Sequence, residues 1–112
     1  MLMDIFHSNS IIKTLDFLLD YREYDYTKEE IAENSGVPLS TLYEVFPKLE
    51  KLGIVRKTNN KGKAQLYKLN EKSNIVKALI KFDNELTSLL VDLELEKQEK
   101  EEMQLNNQLL HN

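Results

Sequence analysis

The spacing of apolar residues changes several times along the chain, and each change marks an element. Positions 11, 12, 15, 18 and 19 hold Ile, Ile, Leu, Leu and Leu, a helical stripe flanked by Phe17 and Tyr21. With Ser8, Asn9 and Ser10 as N-cap candidates, this predicts a first helix over about Ser10–Tyr21, one face buried, behind an apolar lead-in at residues 1–7. Tyr24-Asp25-Tyr26 alternates as a short edge strand would. Thr27 followed by Glu30 is a capping box and starts a brief second helix with Ile31 and Ala32 facing inward. Asn34-Ser35-Gly36 ends it, because Gly36 can take the left-handed conformation of a tight turn between helices.

A third helix is predicted over about Leu39–Leu52. Its apolar face is Leu42, Val45, Phe46, Leu49 and Leu52, and Gly53 stops it. Pro47 lies inside it, where a proline removes one backbone bond and costs about 3 kcal/mol. The stripe continues in register past Pro47, which predicts a bend with the axis largely maintained. Ile54–Thr58 and Ala64–Leu69 read as strands, and Asn59-Asn60-Lys61-Gly62-Lys63 between them is turn chemistry. After Asn70 and Ser73, two further cap candidates, no Gly or Pro appears from Asn74 to Gln104. Ile75, Leu79, Phe82, Leu86, Leu89 and Leu93 step alternately by four and three, which is a heptad seam. Beyond Leu93 the pattern dissolves into Glu, Lys and Gln, and a frayed tail is expected over the last ten or so residues.

Helix, turn, helix and a hairpin with a Lys-Gly-Lys tip, in that order, make a winged helix-turn-helix. The fold class is therefore α+β, mostly helical, with a DNA-binding unit at 1–70 and a C-terminal dimerisation helix at 71–112. Charge changes this picture. The net charge of −4 argues against a nucleic-acid binder, but the charge is segregated. Residues 48–68 hold seven basic residues against Glu50 alone, whereas residues 71–112 hold five lysines against nine acids. The chain has no cysteine, so disulfides and thiolate metal sites are excluded. No apolar run is long enough to span a membrane and no signal-peptide pattern opens the chain, so a soluble, cytoplasmic protein is expected.

The predicted site follows from the fold. The third helix would lie in the major groove, with Ser40 and Thr41 bonding to bases or phosphates, Tyr43 stacking on sugar or meeting a thymine methyl, and Glu44 accepting from cytosine. Lys48, Lys51, Arg56 and Lys57 would supply positive field, and Lys61 and Lys63 would reach a phosphate or the minor groove from the wing. Taken singly, each group has a plainer reading: a helical hairpin in a small α/β domain, a solvated lysine turn, a last helix packed on its own chain. The six seam residues can serve a homodimer and intrachain packing together. His7 and His111 sit near opposite ends and are not expected to bind a metal. No nucleophile arrangement, phosphate-cradling loop or metal-ligand spacing appears, so neither catalysis nor a cofactor is expected.

The run GVPLSTLYEVFPKLEKLGIV resembles the helix-turn-helix core of small prokaryotic, especially archaeal, winged-helix transcription regulators, closest to the TrmB-like group and related to the MarR and ArsR types. Gly36-Val37-Pro38, Ser40 to Tyr43 and Leu49 to Val55 carry the likeness. NSIIKTLDFLLD resembles their first helix and LYKLN their wing exit, so that the likeness covers about residues 8–82. It implies a homodimeric transcription factor that binds double-stranded DNA, with Ser40, Thr41, Tyr43 and Glu44 in DNA-facing positions and Lys61 and Lys63 on the wing. The chain departs from these families at Glu44, where MarR types are often basic. It also lacks room for the sugar-binding domain common in TrmB-like proteins and lacks the ArsR metal-binding cysteines. No small-molecule effector is expected. A partition or chromatin-architecture protein on the same fold, or a winged helix that binds protein through its acidic faces, are the alternatives.

Overall fold

The computed structural model describes residues 9–110. Helix α1 spans Ser10–Asp20, with Asn9 as its N-cap accepting from the Ile12 amide at 2.8 Å. Tyr24–Tyr26 does not form a strand. Tyr26 alone bridges to Tyr67, through backbone bonds of 2.8 and 2.7 Å, and this ties the loop after α1 to the hairpin. Among the described residues no bridge at the exposed Tyr24 extends that pairing into a strand.

Helix α2 spans Lys28–Ser35 and starts at Thr27 with both bonds of the capping box made, each 3.1 Å. Gly36 takes φ 73°, and the Val37 amide bonds back to the Ala32 carbonyl at 3.1 Å. Helix α3 spans Leu39–Lys51 and passes through Pro47 as one element. Its end is a Schellman turn: Ile54 N–H bonds to the Leu49 carbonyl, Gly53 N–H bonds to the Glu50 carbonyl, and Gly53 takes φ 71°. Leu42, Phe46 and Leu49 are buried as the helical spacing requires, but Leu52 lies beyond the helix and is half exposed.

Strands β1 (Val55–Lys61) and β2 (Ala64–Leu69) form one antiparallel hairpin. The loop is two residues, Gly62-Lys63, rather than the five that the turn chemistry of Asn59–Lys63 suggests. A bulge between Lys57 and Asn60 absorbs one extra residue of β1, after which Asn60 pairs with Gln65 and Lys61 with Ala64. Gly62 takes φ 62°, as the first central residue of such a tight hairpin needs. Asn70 closes the base, its side chain donating to the Gly53 carbonyl and its amide to Ile54.

The core joins Leu15, Leu18 and Leu19 of α1, Ile31 of α2, Leu42, Phe46 and Leu49 of α3, Ile54, Val55, Tyr67 and Leu69 around the hairpin, and Val76 of the last helix. That helix, α4, spans Asn74–Leu110, 37 residues and about 55 Å long. Ser73 caps its start, its Oγ accepting from the Val76 amide at 3.4 Å. The helix runs to Leu110 through residues where fraying is expected, since residues 94–110 contain no Gly or Pro and consist mostly of strong helix formers; residues 111 and 112 lie outside the described residues. Val76, Leu79, Ile80 and Leu86 lie against the body, whereas every residue from Val91 to Leu110 is exposed. The molecule is accordingly long and thin, 68 × 28 × 23 Å.

Candidate nucleic-acid interface

Burying Leu42, Phe46 and Leu49 turns the opposite side of α3 to solvent. That side carries Ser40, Tyr43, Glu44, Pro47, Lys48 and Lys51, all exposed and spaced by three or four, with Thr41 half-buried at its edge. Six predicted residues (Ser40, Thr41, Tyr43, Glu44, Lys48 and Lys51) therefore share one helix surface. Its N-terminal half is neutral to acidic. Its C-terminal half is basic, where lysines also oppose the negative end of the helix dipole.

Tyr43 is held in place. Its hydroxyl donates to Glu29 Oε1 at 3.4 Å, a long bond. The Lys28 ammonium lies 5.3 Å from its ring centroid, and also 4.8 Å from Phe46 and 5.3 Å from Tyr67. Phe46 and Tyr67 meet edge to face at 4.7 Å. Lys28, Glu29, Tyr43, Ala64, Gln65 and Tyr67 line one open cavity of about 200 Å³, so that α2, α3 and the wing's return strand converge there. Sequence reasoning passed over Lys28, Glu29 and Gln65. Nothing in their spacing marks them, since the convergence depends on how the wing folds back.

The wing divides the remaining basic residues. At its tip, Lys63 is exposed in the turn and Lys61 reaches Glu30 of α2, Nζ to Oε1 3.8 Å. Glu30 is the capping-box carboxylate. Hydrogen bonding from the Thr27 backbone, and then from its side chain, together with the nearby Lys61, holds its pKa below the usual value against the opposing effect of burial. At its base, Arg56 pairs directly across from Lys68. Arg56, Lys57 and Lys68 line a polar cavity of about 470 Å³ together with Glu23 and Asp25, and Asp25 accepts from Thr58 at 2.7 Å at the bulge. The block of positive charge in the sequence is thus three groups in space: the end of α3, the wing tip, and a base shared with acids.

The seam residues of α4 also divide. Ile75, Phe82, Leu89 and Leu93 are 45, 44, 61 and 61% exposed, whereas Leu79 and Leu86 are half-buried against the body of the same chain. His7 and His111 lie outside the described residues. Among the described residues, no helix is long and apolar enough to cross a membrane.

A family model described as sugar-specific transcriptional regulator TrmB matches residues 13–78. Among curated proteins, the phenylalanine–tRNA ligase alpha subunit of Metallosphaera sedula is 45% identical over 49 residues, a stretch that is 44% of this chain and 10% of that subunit. Among solved structures, a mutant of Lactococcus lactis ZitR in apo form is similar with a TM-score of 0.58 at 18% identity, over 72% of this chain and 64% of that one. A ZitR mutant in complex with DNA gives 0.54 at 21%, over 74% and 57%. The adhesin competence repressor AdcR of Streptococcus pyogenes gives 0.56 at 13%, over 76% and 65%. The chain thus spans a tenth of the ligase subunit and less than two thirds of each of these regulator structures. At such identities the structural likeness is one of fold, the winged helix of transcription regulators.

Proposed function

The chain belongs to the TrmB family of sugar-specific transcriptional regulators, and on that premise we propose that it acts as a homodimeric, sequence-specific regulator of double-stranded DNA. The family and the fold are those of transcription regulators, not of enzymes. The observation that carries the proposal is the exposed stripe of α3, presented by a rigid core beside a wing with a basic tip. In this reading the first turns of α3 enter the major groove, with Ser40, Thr41, Tyr43 and Glu44 at base edges. Lys48, Lys51 and the wing lysines Lys61 and Lys63 sit on phosphates, and Arg56 and Lys57 add field from the hairpin base.

Residues 71–112 supply the dimer. An isolated helix in water is marginal, and α4 projects about 30 Å beyond Leu90 with each of its described residues exposed. Its exposed Ile75, Phe82, Leu89 and Leu93 form a seam for a second copy, while Leu79 and Leu86 serve both surfaces. A two-fold pair would offer two α3 helices to duplex half-sites about 34–36 Å apart.

The test is duplex binding at several salt concentrations, on a site found by footprinting the chain's own genome. Replacing Lys61 and Lys63 by Ala should weaken binding and flatten the log–log salt slope by up to about 0.9 per lost phosphate contact. An unchanged slope removes the wing from the interface. Failure to shift any duplex at low salt moves the fold to protein recognition through its acidic surfaces.

A further inference from the structure

The distal half of α4 carries a second apolar stripe, turned away from the dimer seam. Val91 and Leu95 are one turn apart, as are Leu105 and Leu109, and Gln98 and Glu102 fill the gap between the two pairs on the same side of the helix. All six are exposed, and Gln98, Glu101, Glu102 and Leu105 line an open hollow of about 380 Å³. At about 100° per residue this stripe lies on the side of α4 opposite Leu89 and Leu93. Pairing of two chains through the seam therefore leaves it uncovered. From Val91 to Leu109 it runs for about 27 Å, or five turns.

The borders of the stripe are acidic. Glu94 and Glu101 run along one edge, Asp92 and Glu99 along the other, and Glu102 sits within it. The two lysines of this stretch, Lys97 and Lys100, fall on the half of the helix that carries the seam. A row of large apolar side chains in water, rimmed by charge, marks an interaction surface. The sign of the rim selects the occupant. Five carboxylates repel DNA and anionic lipid alike. A second copy laid on the stripe sets these acids against one another: the antiparallel match of Leu95 to the partner's Leu105 also brings Glu99 and Glu101 close to their own counterparts. A basic segment gains from the apolar row and from the rim together.

We propose that this face of α4 docks a basic amphipathic helix of a partner protein. Apolar residues of the partner, spaced by three and four, meet Val91, Leu95, Leu105 and Leu109, while its Lys and Arg side chains face the acids on either edge. The docking face and the dimer seam lie on opposite sides of α4, so one can be filled without disturbing the other. The surface does not depend on the proposed function.

The experiment uses the full chain without DNA, so its outcome is separate from that of DNA binding. The probe is a fluorescein-labelled helical peptide of about eighteen residues, the length of the stripe, built from Leu and Lys with Leu on one face and followed by fluorescence anisotropy. A scrambled Leu–Lys peptide of the same composition and a Leu–Glu peptide of the same pattern serve as comparisons. We expect saturation at one peptide per chain, an affinity that falls with added salt, and no binding of the Leu–Glu peptide. Leu95→Gln combined with Leu105→Gln keeps good helix formers and should weaken binding at least about tenfold. Glu101→Gln combined with Glu102→Gln should weaken it and flatten the salt dependence. Met103→Gln, on the seam side, should leave it unchanged. The proposal is overturned by equal binding of the scrambled peptide, by full affinity in the double leucine variant, or by an equal loss in Met103→Gln. It is also overturned if the double leucine variant lowers the chain's own association state in sedimentation, since a second copy then covers the stripe.

Discussion

Lys28 offers the sharpest test of how α3 is held. It is the first residue of α2, where a positive charge opposes the helix dipole and costs about 0.3–1 kcal/mol. Against that stand three rings at 4.8–5.3 Å, those of Phe46, Tyr43 and Tyr67. A cation over one ring contributes about 0.5–1 kcal/mol at exposed sites and about 2 when desolvated. One charge cannot collect three full increments, so roughly 1.5–2.5 kcal/mol is a fair total for this half-buried site. The difference leaves Lys28→Met, which keeps the apolar stem and removes the charge, less stable by roughly 1 kcal/mol.

Urea unfolding at one fixed protein concentration is the appropriate assay, because self-association in the proposed dimer would make the apparent stability depend on concentration. The midpoint should fall while the m-value stays constant. Lys28→Arg should retain most of the stability, since a guanidinium also stacks on aromatic faces. Combining Lys28→Met with Tyr43→Leu in a double-mutant cycle should show a coupling of about 0.5 kcal/mol or more. A Lys28→Met variant as stable as the parent would refute the reasoning, since the dipole penalty would then equal the whole contribution of the cage.

Phe82→Glu and Leu89→Glu alter residues exposed in the single chain, so they should leave the fold intact and shift the sedimenting species from dimer to monomer; a persisting dimer sinks the α4 seam. Thr27→Ala removes one half of the capping box and should cost about 1 kcal/mol in urea at neutral pH. The other half adds a pH dependence. Glu30 has a lowered folded pKa, so its contribution is full above the unfolded value near 4.3 and is lost as pH falls through the folded one. The gap between Glu30→Gln and the parent should therefore narrow in acid, and a constant gap would mean that the Glu30 charge adds nothing. Pro47→Ala restores a donor to the Tyr43 carbonyl and should stabilise by about 1–2 kcal/mol, the interior-proline penalty less the unfolded-state entropy it forgoes. A loss of stability would mean that Phe46 and Leu49 need the geometry that Pro47 imposes.

The parts of this fold that depend on local chemistry were legible in the sequence. Thr27 with Glu30, Gly36 and Gly53 fix the helix ends through bonds within five residues of each, and the stripe Leu42–Phe46–Leu49 needs only the helical period. Reading failed where a distant contact decides. Asn59 and Asn60 have turn chemistry, yet cross-strand pairing and the bulge draw them into β1. The heptad seam of α4 gives its period, but only docking on the body separates Leu79 and Leu86 from Ile75, Phe82 and Leu89. The cage around Lys28 draws on α2, α3 and β2 at once.

That division also bears on the kind of DNA binding expected. A protein that coats DNA gains from a continuous positive surface, because non-specific affinity is almost wholly a matter of phosphate contacts. Here the net charge is −4, the hairpin base shares its space with Glu23 and Asp25, and Lys61 is already engaged with Glu30. The stripe of α3 places Glu44 ahead of Lys48 and Lys51. A carboxylate at that point repels every phosphate equally, yet it gains a hydrogen bond where a cytosine amino group faces it. In the proposed reading it would therefore lower affinity for all sequences and recover it only at some, which is discrimination by penalty rather than by attraction. Weak general attraction combined with one selective acid favours discrete operators over coating. In a panel of single-base variants of a footprinted site, Glu44→Gln should raise affinity for the mismatched sites more than for the parent site. Equal gains at every site would return Glu44 to a bystander and reopen the architectural reading.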